Sequence, residues 1–305
     1  MSRDLGKCIV FEGGGVKCAY EFGVLKTLWP YVSGYDAAAG TSFGALNAAL
    51  LLAGGIERME EFWLSVSAET IFGESQLQSI MDRLHRSENT IDPSTLFYLM
   101  PSVKDPVSAH RRISDKYIDF VIGSVDEAAV RRSGKAIGIV TVKLDSLPDP
   151  GVNPLVKLFM TLGVAGFNSR LPEGSEALQH ICELTLDDIP EGRFAEFVAA
   201  SACFPAFAPI KIGDDYYIDG GVSDNTPIKM MEDRGYSEFL CIRTNTGAPK
   251  KRWSDNADIS FIAPSRPLGS SAMFSRENIS ELIALGEYDA EVFLNERHKL
   301  FGNTL

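Results

Sequence analysis

Histidine is scarce in this chain and cysteine is scattered. The four histidines, His85, His110, His180 and His298, stand far apart, and none falls at a metal-ligand spacing from another. No metal site is therefore expected. The five cysteines, Cys8, Cys18, Cys182, Cys203 and Cys241, contain no Cys-x-x-Cys pair and lie mostly among apolar neighbours. An odd, dispersed set fits reduced thiols of the cytoplasm better than a disulfide framework. Long apolar runs are missing as well. None approaches the roughly 20 residues that cross a bilayer, and the run from Cys8 to Phe11 stops at Glu12, too short for a secretory signal. Basic charge is in deficit: 29 Lys and Arg against 41 Asp and Glu leave a formal net charge of −12. Such a surface repels polyanions, which argues against nucleic acid as a partner. The expected location is the cytoplasm, and peripheral membrane contact would have to rest on apolar groups rather than on attraction to anionic lipid.

What is present is ordinary globular material. The 305 residues are 45% hydrophobic and 23% charged, with no internal repeat, enough for one large α/β domain or two smaller ones. The stretch that organises the rest runs from Asp36 to Gly54. A small-residue extended segment reaches Gly40-Thr41-Ser42-Phe43-Gly44, and an Ala/Leu helix begins at Phe43. Gly-x-Ser-x-Gly between strand and helix is the setting in which a serine is raised on a tight, strained turn. The helix amino terminus behind it favours developing negative charge. Alone, the pattern leaves two readings open: a nucleophile at Ser42, or a serine that merely caps a helix.

A second strand-turn-helix unit precedes it. Lys7–Glu12 reads as a buried strand. Gly13-Gly14-Gly15-Val16-Lys17 follows, then a helix striped with Val16, Tyr20, Val24 and Leu28 and ended by Pro30. A glycine turn of this kind exposes backbone amides that can hold an anion. A dinucleotide fingerprint needs a third glycine where Cys18 stands, and no Walker pattern is present. An oxyanion hole for Ser42 fits the spacing better, because two such units about thirty residues apart bring both turns to one carboxyl edge of a parallel sheet. Lys17 either adds positive potential there or lies on a helix surface.

Further on, Gly54-Gly55 breaks the helix, and helical segments are expected at Met59–Ser67, Gln76–Leu84 and Ile113–Ile122, with a surface loop from Ser87 to Pro106. Lys135–Leu144 is β-branched and reads as a strand. The apolar segment Gly151–Gly174 fits a helix buried on its own sheet, a lid, or a membrane-touching stretch. Glu238–Thr244 is expected to be another strand, and Met273–Leu285 an amphipathic helix.

A serine hydroxyl needs a partner to take its proton. No histidine lies in a glycine-flanked loop; His298, the only one placed as in a conventional Ser-His-Asp esterase, sits in a charged Glu-Arg-His-Lys run. Asp219 is the better candidate. It closes the β-rich run Tyr216-Tyr217-Ile218-Asp219 and is followed by Gly220-Gly221, although a turn or cap role for it stays open. Before it lies the small, proline-rich stretch Ala200–Pro209, suited to a pocket wall; Asn225-Thr226-Pro227 follows.

In this order, Gly13-Gly14-Gly15-Val16-Lys17, Gly40-Thr41-Ser42-Phe43-Gly44, the Ala-Ser…Pro…Phe…Pro block at 200–209 and Asp219-Gly220-Gly221 resemble the patatin-like phospholipases. The likeness runs from about residue 7 to 245, and the C-terminal helix, about 270–300, resembles that of bacterial members. The departure is Cys18, where the family usually carries glycine. The resemblance implies a single patatin-like domain over 1–305: an α/β, three-layer fold with a mostly parallel central sheet flanked by helices. It implies a lipid acyl hydrolase of phospholipase A or lysophospholipase type, acting on a lipid or other acyl-ester substrate. Ser42 and Asp219 would form a catalytic dyad, with Gly13, Gly14 and Gly15 as the oxyanion hole and Lys17, Gly40, Gly44, Gly220 and Gly221 in support. No cofactor is implied. The rivals are a Ser-His-Asp esterase and a catalytically silent lipid-binding protein on the same scaffold.

Overall fold

The computed structural model describes residues 6–72, 106–144, 179–203, 209–247, 257–296, 299–300 and 303–304. Its centre is a sheet of eight strands: β1 (Lys7–Phe11), β2 (Ala37–Thr41), β3 (Ala136–Leu144), β4 (Gln179–Thr185), β5 (Ile210–Ile212), β6 (Asp215–Asp219), β7 (Glu238–Ile242) and β8 (Asp258–Ile262). The run β3-β2-β1-β7-β8 is parallel throughout. β4 and β6 are antiparallel to β3, and β5 is antiparallel to β6. The fold is therefore α/β with a mixed, mostly parallel central sheet flanked by helices.

Buried strands read as nearly continuous apolar runs because both of their faces are covered. Alternation decides which residue meets which layer. Ile9, Phe11, Ala38, Leu240 and Ile242 join one core with helices α1 (Cys18–Val32), α2 (Phe43–Ser65), α6 (Phe194–Ser201) and α8 (Arg276–Glu296). Cys8, Val10, Ala37, Ala39, Phe239 and Cys241 point the other way, onto Ile228, Met230 and Met231 of the short helix α7 (Ile228–Glu232). The small residues of β2, Ala-Ala-Ala-Gly, let both layers approach closely. Among the described residues, helices α3 (Ala68–Phe72), α4 (Pro106–Ser124) and α5 (Glu127–Arg132) also lie between β2 and β3 in the chain, and a small hairpin, β9 (Lys299–Leu300) with β10 (Asn303–Thr304), follows α8.

Several boundaries differ from the sequence expectation. α1 continues past Pro30 to Val32, because a proline in the last turn removes only one hydrogen bond of a helix that is about to end. The Gly54-Gly55 break is a kink within α2, with Gly55 at φ 73°. The C-terminal helix begins at Arg276 and runs on to Glu296, and its buried stripe continues past the expected end through Gly286, Ala290 and Phe293. β4 and β8 were not anticipated. Edge strands in a sheet of this kind need only one buried face, and neither β4 nor β8 carries a continuous apolar run. The expected helix at Gln76–Leu84, the loop before Pro106 and the segment Gly151–Gly174 lie outside the described residues. Among the described residues, no helix is long and apolar enough to cross a membrane.

Candidate active site

One strand positions both candidate catalytic residues. Along β3, Val140 is the last residue paired with β2, opposite Thr41, and the next residue, Thr141, pairs with Asp219 of β6. β4 occupies the other edge of β3 over Gly138–Leu144, so β2 and β6 must share a single edge. They lie on it end to end, one parallel and one antiparallel to β3. Their carboxyl ends therefore face each other, and Ser42 and Asp219 meet.

Ser42 Oγ donates to Asp219 Oδ2 at 2.8 Å. The other carboxylate oxygen, Oδ1, accepts from the Gly221 N–H at 2.7 Å. Asp219 thus caps the turn at 220–222 with one oxygen and faces the serine with the other, which accommodates both of the roles the sequence left open. Ser42 stands at the N-cap position of α2, yet its side chain makes no capping bond. Its hydroxyl is turned to Asp219 instead. The residue also carries φ 58° and ψ −132° and is the one non-glycine residue with positive φ among those described. Backbone strain of this kind costs about 1–3 kcal/mol and survives only where the surroundings impose it.

Those surroundings are close-packed glycines. A Cβ on Gly40 would stand 2.2 Å from Gly44 O, and one on Gly44 would stand 2.5 Å from Phe11 O. The strand can fold back into α2, and α2 can settle on β1, only if neither position has a side chain. On the other side, a Cβ on Gly220 would meet Val140 O at 2.2 Å, and one on Gly221 would meet Asn225 Oδ1 at 2.8 Å.

Asp219 is 1% exposed. Burial pushes its carboxyl up to about 7, while the bonds from Gly221 and Ser42 pull the other way. A carboxylate that titrates near neutrality is a far stronger base than an ordinary one. It remains ionised in half or more of the molecules at pH 7 and above.

The glycine turn lies beside the serine: a Cβ on Gly13 would come within 3.1 Å of Ser42 Cβ. Both polar groups of Gly13 are already engaged. Its N–H donates to Asn225 O at 3.1 Å, and its carbonyl accepts from Asn225 Nδ2 and Thr244 Oγ1, each at 2.9 Å. Thr244 is held in turn by the buried Glu12, whose Oε2 accepts the N–H groups of Thr244 and Asn245 at 2.8 and 3.1 Å. Gly14 and Gly15 follow Gly13 in the same turn. The Gly14 amide lies near the Cys18 thiol, which burial and the Glu21 and Glu12 carboxyls hold well above its ordinary range. Cys18 is fully buried behind the turn, donating from Sγ to Glu12 O at 3.5 Å. Gly15, at φ 60°, closes against Ser271 O, which also accepts the Val16 N–H at 2.9 Å. The loop before α8 thereby braces the glycine turn. Lys17 is partly buried, and burial lowers its pKa against the raising influence of Cys18 and Glu12.

Sequence reading missed the role of four residues here. Asn225, Thr244 and Glu12 hold the glycine turn, and Ser201 bonds to the Ser42 backbone. Ser201 and Asn225 lie inside stretches that stood out for their composition, but nothing in a single sequence says which backbone group a side chain will reach. Of the four histidines, His110 lies on α4 and His180 on β4; His85 and His298 lie outside the described residues. Among the described residues, no group of three or more His, Cys, Asp or Glu stands together as a metal site.

Comparison with known proteins matches residues 9–231 to the sequence profile of the patatin-like phospholipases. The chain belongs to that family. Patatin-like phospholipases are generally lipid acyl hydrolases. Solved structures similar to this patatin-like chain include VipD from Legionella pneumophila, at 14% identity and a TM-score of 0.47, covering 97% of this chain and 68% of that one. Human GIVD cytosolic phospholipase A2 matches at 10% identity and a TM-score of 0.43, over 95% of this chain and 62% of that one. ExoU of the Pseudomonas aeruginosa type III secretion system, in complex with SpcU, matches at 13% identity and a TM-score of 0.40, over 95% and 52%. The chain spans between about half and two thirds of the length of these proteins. No curated protein sequence matches it.

Proposed function

We propose that this chain is a serine acyl hydrolase that cleaves carboxylic ester bonds of lipids through a Ser42–Asp219 dyad, as a phospholipase A or lysophospholipase. The observation that carries the reading is the 2.8 Å bond from Ser42 Oγ to a buried carboxylate whose pKa is about 7. In the proposed reaction Ser42 Oγ attacks the ester carbonyl carbon and its proton passes to Asp219 Oδ2. The resulting oxyanion is held by backbone amides of the glycine turn. Because the Gly13 N–H donates to Asn225 O at 3.1 Å, this reading leans, of the trio Gly13, Gly14 and Gly15, on the last two. One such donor is typically worth about 3–4 kcal/mol. Collapse breaks the bond to the alcohol, which leaves with the proton from Asp219. Water then attacks the acyl-enzyme, giving up a proton to Asp219, and Ser42 recovers that proton as the carboxylic acid departs. The sum is ester plus water to acid plus alcohol.

Histidine is not needed in this scheme, since Asp219 Oδ2 already occupies the position beside Ser42 Oγ that an imidazole would take. In this reading one patatin-like domain acts from the cytoplasm on lipid reached by transient membrane contact.

The test is acyl release across phospholipids, lysophospholipids, neutral glycerides and short esters, with Ser42→Ala and Asp219→Asn as controls. Both variants are expected to lose about 10³-fold or more. Retained turnover in Asp219→Asn would remove the dyad. Absence of turnover and of fluorophosphonate labelling in folded wild-type protein would favour the silent lipid-binding scaffold.

A further inference from the structure

The junction where β2 and β6 meet leaves a gap in the sheet's hydrogen bonding. β2 is paired with β3 only as far as Thr41, and the Ser42 N–H, one residue past the last pair, does not reach the strand directly. It donates at 2.9 Å to the hydroxyl of Ser201, at the end of α6. The Ser201 hydroxyl then donates at 2.6 Å to Val140 O on β3. Ser201 is fully buried. A single hydroxyl therefore bridges the strained serine and the strand that also pairs with Asp219.

We propose that Ser201 is a positioning residue for the reaction: it fixes the Ser42 main chain in its strained conformation and so holds Ser42 Oγ against Asp219. This rests on the reading of Ser42 as the nucleophile. The argument is one of satisfied polar groups. One buried hydroxyl both accepts the Ser42 N–H and donates to Val140 O, and a buried polar group left without a partner is costly. With the bridge removed, the Ser42 peptide can satisfy its N–H and relieve its positive φ only by turning. The hydroxyl, carried on the same residue, turns with it. The two hydrogen bonds of the Ser201 hydroxyl go to main-chain groups, the Ser42 N–H and Val140 O; its effect passes through the Ser42 backbone. A displacement of about 1 Å in a reacting group can cost about 10²-fold in rate.

The experiment compares Ser201→Ala with Ser201→Thr, which keeps the hydroxyl, measuring kcat, KM and the rate of fluorophosphonate labelling on folded protein. Ser201→Ala is expected to lower kcat and labelling together by about 10- to 100-fold with KM within about 2-fold. Ser201→Thr should lie clearly closer to wild type. If the alanine variant does not fold, Ser201→Cys takes its place; it keeps the side-chain volume while exchanging a strong hydroxyl bridge for a weak thiol one, and the same loss is expected. Wild-type kcat and labelling in folded Ser201→Ala or Ser201→Cys overturns the proposal. So does a threonine variant as slow as the alanine one. Ser42→Ala is run alongside. If it retains turnover, the nucleophile reading itself fails, whereas an inactive Ser42→Ala beside a fully active Ser201→Ala defeats only the role given to Ser201.

Discussion

The turn after β2 and the turn after β6 end their strands against the same stretch of β3, and each is followed by a glycine wedged against a backbone carbonyl. They differ in strain. Ser42 sits at φ 58°, ψ −132°, whereas Asp219 sits at an ordinary φ −51°, ψ 130°. The serine turn passes directly into a long helix that must fold back over its own strand, and only a backward-bent residue makes that corner. The aspartate turn enters a single 3-10 turn, and strand register alone brings its carboxylate to the serine. One residue is placed by strain and the other by pairing. The cost borne by the aspartate is electrostatic instead: it is a carboxylate buried, among the described residues, without a cation beside it.

This contrast can be broken at either turn. The largest effect is expected at the serine corner. Gly40→Ala puts a methyl group 2.2 Å from Gly44 O, a backbone atom that cannot yield without moving α2. A loss of roughly 3 kcal/mol or more is expected, in the range of severe overpacking, or failure to fold. Urea unfolding measures it, and an unchanged midpoint would mean that the corner is not close-packed.

At the aspartate turn the expected change is smaller and of opposite sign. The folded-state pKa of about 7 lies above the ordinary carboxylate value of 3.8, so the folded protein binds the extra proton between those limits. Stability from this group is complete below the lower value and falls as pH rises through the window. Asp219→Asn, which keeps the shape and cannot ionise, is therefore expected to be more stable than wild type at pH 8 by about 1–3 kcal/mol. The gap should shrink as pH is lowered to 5. Thermal melts of both proteins across that range check it, and a difference between them that does not change with pH would contradict the raised pKa of the buried carboxylate.

The steric pattern of these turns is legible in the sequence, and their support is not. Gly-x-Ser-x-Gly, the glycine triplet and Asp-Gly-Gly are local patterns whose steric reasons act within a few residues, so they can be read one at a time. The buried strands β1, β2, β3 and β7 were equally plain, because burial on both faces writes itself as an apolar run. The bracing is long-range. Ser201 reaches Ser42, Asn225 reaches Gly13, and Glu12 reaches Thr244 across 159, 212 and 232 positions of the chain. Serine, asparagine, threonine and glutamate look alike in a sequence whether they face water or hold a buried amide. The same reason hid the partial burial of Lys17 and the strands β4 and β8. The meeting of β2 and β6 on one edge of β3, which sets the whole site, is a fact of topology and has no local signature.

The central claim is that Asp219 is the base for Ser42, and it is tested most directly by the pH dependence of Ser42 acylation. Covalent modification by a fluorophosphonate, followed by intact mass from pH 5 to 9 in wild type and Asp219→Asn, isolates that step. The account predicts a wild-type rate that rises with pH to a plateau, with its half-maximum near pH 7 as set by Asp219, and a slow rate in the variant that lacks this transition. A variant that reacts as fast as wild type with the same transition would contradict it.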